Sequence, residues 1–327
     1  MATSAKLHHL ARLRSELTRE SHQTAVRELS ALGPAARPVP SAASPAQEQL
    51  EWWIFFHAAW PAEIVGTPFG FERVTPRPDG LDLHLASSDT YLQWLVSTLL
   101  PTVHGEQLHG IPGLRLTRDR TGAPILLLAG TTAQVRLRGI TAALWRQCVE
   151  LARQDFADAG HQPLWNAPTD TMTALEAEHA PWFDHTSAGP RPFRLASGLL
   201  RRIGLFSAAG ATACLTGWTT AGAIHEGWKF DFEFIPGHRP DHDHLLRLLT
   251  DPDAGLPLRV AGRGCVRCPG PDASCRIQLT PIDGLPGGIT MLFHSTDEEV
   301  VQAWERHWPG EFARIRSGWN ANCVPNR

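Results

Sequence analysis

Apolar residues recur at helical spacing in the first part of the chain. Residues 7–30 carry leucines on one stripe and arginine and glutamate on the other side, which predicts one amphipathic helix ending before Gly33. The next stretch is rich in proline, and proline removes backbone donors, so residues 33–45 are predicted to form a linker. A second helix is predicted from Ser44 and Pro45, because serine followed by proline is typical of a helix N-terminus.

Alternating apolar and polar positions then predict several short strands. The predicted strands are FGFERVT, LDLHLAS, LRLTRDR, PILLLAG and AQVRLRG. Helices are predicted after Ser87 and from about Ile140 to Ala159, and Thr121-Gly122 is typical of a turn. This succession predicts a first α+β unit over residues 46–160.

The composition changes after this unit. Residues 161–190 contain no lysine or arginine and carry several acidic residues among prolines and alanines, which predicts an acidic connection with one short helix, TALEAEH. Residues 191–327 again alternate strands and helices and predict a second α+β unit. The predicted fold class is therefore α+β: an N-terminal helical segment, residues 1–32, followed by two α/β-sandwich units of mainly antiparallel sheets covered by helices.

Two segments of the chain resemble each other. LDLHLASSDTYLQWLVS and ITMLFHSTDEEVVQAWE both predict a strand, a cap of serine, threonine and aspartate, and a helix that bears a tryptophan. Strand, cap and helix form a common unit in proteins. The similarity nevertheless favours two similar units over one continuous sheet.

Composition excludes several classes of protein. The chain has 327 residues, 43% hydrophobic and 19% charged, which is typical of a soluble globular protein with one or two domains. No apolar run approaches the roughly 20 residues that span a bilayer, so we expect no membrane partner. Charged residues interrupt the N-terminal leucines, which argues against a secretory signal and favours a cytoplasmic location. In that reducing compartment, clustered cysteines bind metal more often than they form disulfides.

The charge balance limits any role in binding nucleic acid. The formal net charge is −3, whereas a dedicated nucleic-acid binder is usually basic overall. The basic residues are nearly all arginine, since Lys6 and Lys229 are the only lysines. Arginine presents a planar fork of donors that suits phosphate and carboxylate groups. A phosphate-binding role must therefore depend on a local patch.

The most specific candidate site is the cysteine-bearing stretch AGRGCVRCPGPDASCRIQL. Cys265, Cys268 and Cys275 have the spacing C-x2-C-x6-C, and two thiolates separated by two residues can bind one tetrahedral ion. A structural zinc site needs four ligands, and His294 or Cys323 could supply the fourth. One structural zinc ion and an ordinary turn without metal remain the main alternatives. A redox pair is disfavoured because the proline and glycine after Cys268 predict a turn rather than a helix N-terminus.

Arginines accompany this hairpin and also the strands of the first unit. We predict that the hairpin and the sheet of the first unit each contact nucleic acid or a partner protein. The candidate residues are Arg263, Arg267 and Arg276 beside the cysteines, and Arg115, Arg118, Arg136 and Arg138 on a basic face of the first sheet. The alternative interpretation is that these arginines pair with neighbouring acidic side chains.

A second candidate site lies in the segment WKFDFEF. Asp231 and Glu233 alternate with phenylalanines and therefore share one strand face, where they could hold a divalent ion with His242 as a further ligand or as a base. The simpler interpretation is a half-buried strand, with Asp241 and Asp243 capping the helix that follows it. No phosphate-binding loop, nucleophile elbow or zinc-protease motif occurs in the sequence.

The function predicted from these observations is binding without catalysis. We expect a cytoplasmic accessory protein that engages nucleic acid or a partner protein through its arginine-bearing sheet faces and the cysteine hairpin, with one structural zinc ion as its cofactor. A metal-dependent enzyme acting on phosphodiesters is the first alternative. The second is an oligomeric scaffold whose tryptophans lie at interfaces.

Overall fold

The chain folds into two units, each built around a five-stranded sheet. In the computed structural model, unit 1 comprises Met1–Ala58 and Gly70–Ile203, and unit 2 comprises Ala59–Phe69 and Gly204–Arg327. The structure describes residues 2–33, 37–59, 68–86, 89–186, 189–190, 193–208, 210, 213–219, 227–234, 241–266, 274–284 and 287–307. Helices and mixed sheets together confirm the α+β class.

Unit 1 contains most of the helices. These are α1 (Ala2–Thr18), α2 (His22–Leu32), α3 (Pro45–Ala59), α4 (Asp89–Leu99), α5 (Ala142–Asp158), α6 (Ala174–Asp184) and α7 (Phe193–Leu200). The last residue of α3, Ala59, is assigned to unit 2. Its strands are β1 (Phe71–Arg77), β2 (Gly80–Leu85), β3 (Thr102–His104), β4 (Gln107–His109), β5 (Leu114–Arg118), β6 (Pro124–Leu128), β7 (Gln134–Arg138), β8 (Gln162–Pro163), β9 (His185–Thr186) and β10 (Gly189–Pro190).

The main sheet of unit 1 has the strand order β1-β2-β7-β6-β5. Strands β2 and β7 are parallel, and the other neighbours are antiparallel. Strand alternation places Leu83, Val135 and Leu126 on one buried face. Helices α4 and α5 pack against each other and bury Leu92, Leu95 and further apolar side chains. Burial of these apolar surfaces supplies the main driving force for folding of the unit.

The N-terminal segment forms two helices rather than the one predicted over residues 7–30. Arg19 has a φ of +63°, a left-handed conformation that ends α1. Ser21 then caps α2 by accepting a hydrogen bond from the amide of Thr24. The break is held by a buried ion pair in which Arg14 Nε lies 2.6 Å from a carboxylate oxygen of Glu20. Helix propensity alone did not indicate this turn, because all of its residues are compatible with a helix.

The predicted acidic connection, residues 161–190, lies inside unit 1. Trp165 in this segment is buried, and Leu116 of β5 donates a backbone hydrogen bond to its carbonyl oxygen. Glu176 of α6 is buried as well. The segment therefore packs on the sheet of unit 1, and unit 1 continues to Ile203 rather than ending near residue 160.

Unit 2 has fewer helices and longer strands. Its elements are α8 (Leu205–Ala208), β11 (Ala213–Thr219), β12 (Gly227–Phe234), α9 (His242–Leu249), β13 (Leu258–Val266), β14 (Ser274–Pro281), β15 (Ile289–Ser295) and α10 (Glu298–His307). The sheet order is β11-β12-β15-β14-β13, with β12 and β15 parallel and the other neighbours antiparallel. Phe230 and Phe293 lie on the face that α8 and α9 cover, through ring contacts with Phe206 and His242.

The two main sheets have the same topology. In each, the first two strands form a hairpin, the second strand pairs in parallel with the fifth, and the third and fourth complete the sheet in the order 1-2-5-4-3. In unit 1 the third and fourth strands, β5 and β6, are joined by a short turn in which Asp119 accepts from the amides of Thr121 and Ala123. Gly122 in this turn has a φ of +84°, a conformation that favours glycine. The corresponding strands of unit 2 are β13 and β14.

None of the helices that the structure describes combines the length and the apolar character needed to cross a membrane.

Candidate metal site and arginine surfaces

The hairpin of β13 and β14 places two of the predicted cysteine ligands opposite each other. Cys265 and Cys275 are register partners near the end of the strand pair. Cys275 alternates with Arg276 and shares the buried face with Ile277 and Leu279. Because cross-strand partners point to the same face, the side chain of Cys265 lies on this face too.

Helix α9 brings a histidine to the same place. Asp241 caps the helix by accepting a hydrogen bond of 3.0 Å from the amide of His244. His242 is the first helical residue, at helical spacing with the buried Leu245 and Leu249, and so it faces the sheet. Its ring packs edge-on against Phe293, with 5.8 Å between ring centroids, and only 3% of the residue is exposed.

The three side chains converge at distances that suit a metal ion. His242 Nε2 lies 3.8 Å from Cys265 Sγ, and one ligand atom from each of His242, Cys265 and Cys275 lies within 4.8 Å of the others. With zinc–sulfur and zinc–nitrogen bonds of about 2.3 and 2.0 Å, ligand atoms of a tetrahedral site lie about 3.3–3.8 Å apart. Small side-chain movements would bring all three ligands to one ion, so this group could hold a metal.

Two charged residues surround this group and orient it. Asp243 Oδ1 lies 3.3 Å from Nδ1 of His242, an arrangement that directs the other ring nitrogen, Nε2, towards the cysteines. Arg263 donates from Nε to Cys265 Sγ at 3.4 Å, and its Nη1 lies 2.7 Å from Asp243 Oδ1. The hydrogen bonds to Cys265 and Asp243 raise the pKa of Arg263, and the one from Arg263 lowers the pKa of Asp243. A guanidinium beside a thiolate also offsets its negative charge.

The structure separates His294 from these cysteines. His294 alternates with Phe293 on β15, and Phe293 is the register partner of Cys275, so the His294 side chain lies on the opposite face of the sheet. His242 thus takes the place among the ligands that the sequence assigned to His294. The other two predicted ligands, Cys268 and Cys323, lie outside the described residues.

On the opposite face of the sheet, His294 joins the candidate carboxylates. Its Nδ1 lies 3.3 Å from Asp231 Oδ1, and its Nε2 lies 3.9 Å from Glu233 Oε1. Lys229 Nζ is 2.9 Å from the other Asp231 oxygen, and Thr296 donates a 2.7 Å hydrogen bond to Glu233. The imidazole ring lies between the two carboxylates, with one ring nitrogen facing each of them. The three side chains therefore do not direct their ligand atoms at one common ion. This arrangement is a network of ion pairs and hydrogen bonds.

The proposed catalytic group of Asp231, Glu233 and His242 is not assembled. The two carboxylates project from one face of the sheet, whereas His242 lies on the face that α9 covers. The sequence suggested the group because the three residues lie close together along the chain. Strand alternation separates them, and a single ion could not bind all three.

Arg115 is not part of a binding surface. Its side chain is 0% exposed, and it donates to both carboxylate oxygens of Glu176 at 2.8 and 2.7 Å. Burial alone would raise the pKa of Glu176, but hydrogen bonds from Arg115, Thr173 and Gly113 lower it below its ordinary value. Arg115 therefore links β5 to α6 inside unit 1, because the segment of residues 161–190 covers this face of the sheet.

The remaining arginines of unit 1 do not form one basic face. Arg136 Nη1 lies 3.4 Å from Asp82, and Arg138 Nη1 lies 2.9 Å from Asp119. Both are on the face of the sheet that also carries Arg115, whereas Arg118 alternates to the opposite face, beside α5. Carboxylates offset the charge of Arg136 and Arg138, while Arg118 remains exposed.

The arginines near the cysteines are divided in the same way. Arg276 is exposed on the face of the sheet opposite to Cys275, and its register partner on β15 is Leu292. Arg263 belongs to the metal-ligand group through its contacts with Cys265 and Asp243. Arg267 lies outside the described residues. Arg276 is therefore the only one of the three that the described structure leaves open to a partner.

Comparisons with known proteins add no assignment to these observations. Protein-family models, curated proteins and solved structures were each compared with this chain, and none of the three gives a match. The convergence of His242, Cys265 and Cys275 is the feature that bears most directly on function.

Proposed function

We propose that this chain is a zinc-binding protein without catalytic activity, whose metal-braced hairpin β13–β14 presents an edge strand to a partner protein. The observation that carries the proposal is the convergence of His242, Cys265 and Cys275. These ligands come from a helix and from both strands of the hairpin. One ion bound to them would join α9 to the end of the strand pair at which β13 leads into β14.

The chemistry of the ligand set favours zinc over the other common ions. Thiolate and imidazole ligands suit zinc, whereas magnesium and calcium prefer oxygen ligands. Two residues, Val266 and Arg267, separate Cys265 from Cys268, which is the spacing of zinc-binding cysteine pairs. We infer that Cys268 supplies the fourth ligand and completes a Cys3His site.

The edge strand is the feature that favours a protein partner. Strand β13 is the last strand of its sheet, and nearly all its residues are exposed. Val260, Val266 and Ile282 on this hairpin are exposed by 45, 61 and 66%. A long exposed edge strand with apolar residues is suited to pairing with a strand of another protein. Nucleic-acid binding has weaker support, because Arg115 is buried and carboxylates pair with Arg136, Arg138 and Arg263.

The zinc site predicts a defined metal content. Protein purified without a metal-affinity tag or chelator is expected to contain about one zinc ion per chain by inductively coupled plasma mass spectrometry. The variants His242→Ala and Cys275→Ser should lose the ion, because each removes one ligand. His294→Ala and Cys148→Ala serve as controls and should retain it. Folded parent protein without metal would contradict the proposal, and loss in His294→Ala would contradict the ligand assignment.

The partner surface predicts a position-specific crosslink. With a photoreactive benzophenone amino acid at Val266, irradiation of cells should give a discrete covalent adduct that protease, but not nuclease, removes. The same amino acid at Leu151, which is exposed on α5, is the matched control and should give none. In the Cys275→Ser background the Val266 adduct should disappear, since the hairpin loses its metal. An adduct that nuclease removes would instead indicate nucleic acid on this surface.

A further inference from the structure

Helix α5 and the edge strand β5 of unit 1 form a groove of about 480 Å³ that the metal site does not involve. Its volume lies within the range of about 300–1,000 Å³ that small-molecule sites occupy. Three arginines, Arg118, Arg146 and Arg153, lie around it, and Leu116 and Trp145 form part of its apolar lining. The groove therefore combines positive charge with an apolar surface.

The charges around the groove are only partly compensated. Within the described part of the chain, the Arg118 guanidinium makes no hydrogen bond or ion pair. Arg146 donates from Nε to the backbone oxygen of Ala142 at 3.1 Å, in its own helix. Arg153 Nε lies 3.7 Å from Glu150, the only acidic residue of the groove lining. Three guanidinium groups and one carboxylate leave an excess of two positive charges.

Trp145 contributes a buried aromatic side chain to the lining of the groove. Its side chain lines the groove and is only 3% exposed. The indole Nε1–H is buried and has no hydrogen-bond partner among the described residues. The indole nitrogen of Trp165 is in the same state, so this feature is not specific to the groove. Trp145 therefore serves the groove as an apolar aromatic surface and as a spectroscopic probe.

We propose that the groove binds a small organic phosphate. The phosphate dianion matches the excess of two positive charges, and guanidinium groups bind phosphate through paired hydrogen bonds. The apolar or planar part of the ligand packs against Leu116, Val149 and Trp145, which line the groove. A bounded groove with three arginines suits a single phosphate group better than the extended backbone of a nucleic acid, which needs a row of basic contacts. This site is separate from the proposed function of unit 2.

Calorimetric titration with adenosine 5′-monophosphate tests the proposal, because this probe joins a phosphate dianion to a planar ring. We expect a dissociation constant below about 1 mM for the full-length protein, and at least about tenfold weaker binding in Arg118→Met and in Arg146→Met. Arg12→Met removes an exposed arginine of α1 and is the matched control, with unchanged affinity expected. Adenosine without phosphate should bind at least about tenfold more weakly than the monophosphate.

Fluorine NMR of 5-fluorotryptophan-labelled protein locates the binding site. The Trp145 resonance is assigned by its loss in Trp145→Phe, and the monophosphate should shift it in the parent protein but not in Arg118→Met. An unmoved Trp145 resonance during saturating binding would overturn the location. Equal affinity for adenosine, or unchanged affinity in both arginine variants, would overturn the phosphate assignment. Binding of a short single-stranded oligonucleotide that depends on Arg118, without binding of the monophosphate, would replace it with a nucleic-acid site.

Discussion

The Arg115→Met substitution is expected to lower the free energy of unfolding by about 3–5 kcal/mol. The Arg118→Met substitution should change the free energy of unfolding by no more than about 0.5 kcal/mol. Both residues are arginines of strand β5, and they differ in burial. Arg115 is 0% exposed and bonds to Glu176. Arg118 is exposed beside α5.

The large effect at Arg115 arises from the groups that the substitution leaves behind. Glu176 would stay buried without its cation, although the amides of Gly113 and Thr173 still donate to it. The carbonyl oxygens of Pro168 and Thr171 would also lose the hydrogen bonds that Arg115 donates. Buried polar groups without partners are costly because water no longer solvates them.

Urea denaturation followed by circular dichroism measures this difference. The double variant Arg115→Met, Glu176→Leu should recover much of the lost stability, because an apolar pair avoids the unpaired charge. Amide hydrogen exchange should localise the destabilisation to β5 and α6. If Arg115→Met and Arg118→Met were equally stable, the guanidinium of Arg115 would not be buried against Glu176 in solution.

Removal of zinc is expected to give the second large effect, in unit 2. Free zinc at about 100 times its dissociation constant stabilises a folded site by about 2.7 kcal/mol. A chelator should therefore lower the local stability of β13, β14 and the start of α9 by about 3 kcal/mol or more. Amides that open locally should then exchange about 100-fold faster by hydrogen-exchange mass spectrometry.

Unit 1 serves as an internal control for the effect of the chelator on unit 2. The chelator should leave exchange in β5 and α6 unchanged, because these elements belong to unit 1. It should also have no further effect on Cys275→Ser, which already lacks a ligand. Identical exchange of β13 and β14 with and without chelator would contradict a bracing role for the metal.

The pattern of apolar residues was sufficient to predict the α+β class but not the boundary between the units. Helices and strands follow from local periodicity, and the structure confirms their mixture. The assignment of residues 161–190 as a connection depended on composition, which does not reveal long-range contacts. Glu176 is buried against Arg115, and the two residues lie far apart along the chain but in contact in the fold. Neither residue alone indicates the pair.

The ligand group illustrates which signals the sequence does contain. The spacing of Cys265 and Cys275 drew attention to the hairpin, and the structure places the two together. His242 could have been found from its helical spacing with Leu245 and Leu249, which predicts that it faces the core. Alternation along ITMLFHS likewise sets His294 apart from the buried Phe293. What the sequence could not supply was the pairing of β14 with β15, which a contact between distant segments determines.

The shared topology of the two sheets gives the hairpins β5–β6 and β13–β14 equivalent positions but different means of closure. In unit 1, Asp119 closes the turn by accepting hydrogen bonds from the backbone amides of Thr121 and Ala123, and no bound ion is needed. In unit 2 the corresponding end bears Cys265 and Cys275 beside His242. With zinc bound as proposed, one half of the molecule depends on the metal supply of the cell while its topological counterpart does not. When zinc is scarce, β13 and β14 would lose their order and no longer bind the partner, while the rest of the protein stays folded.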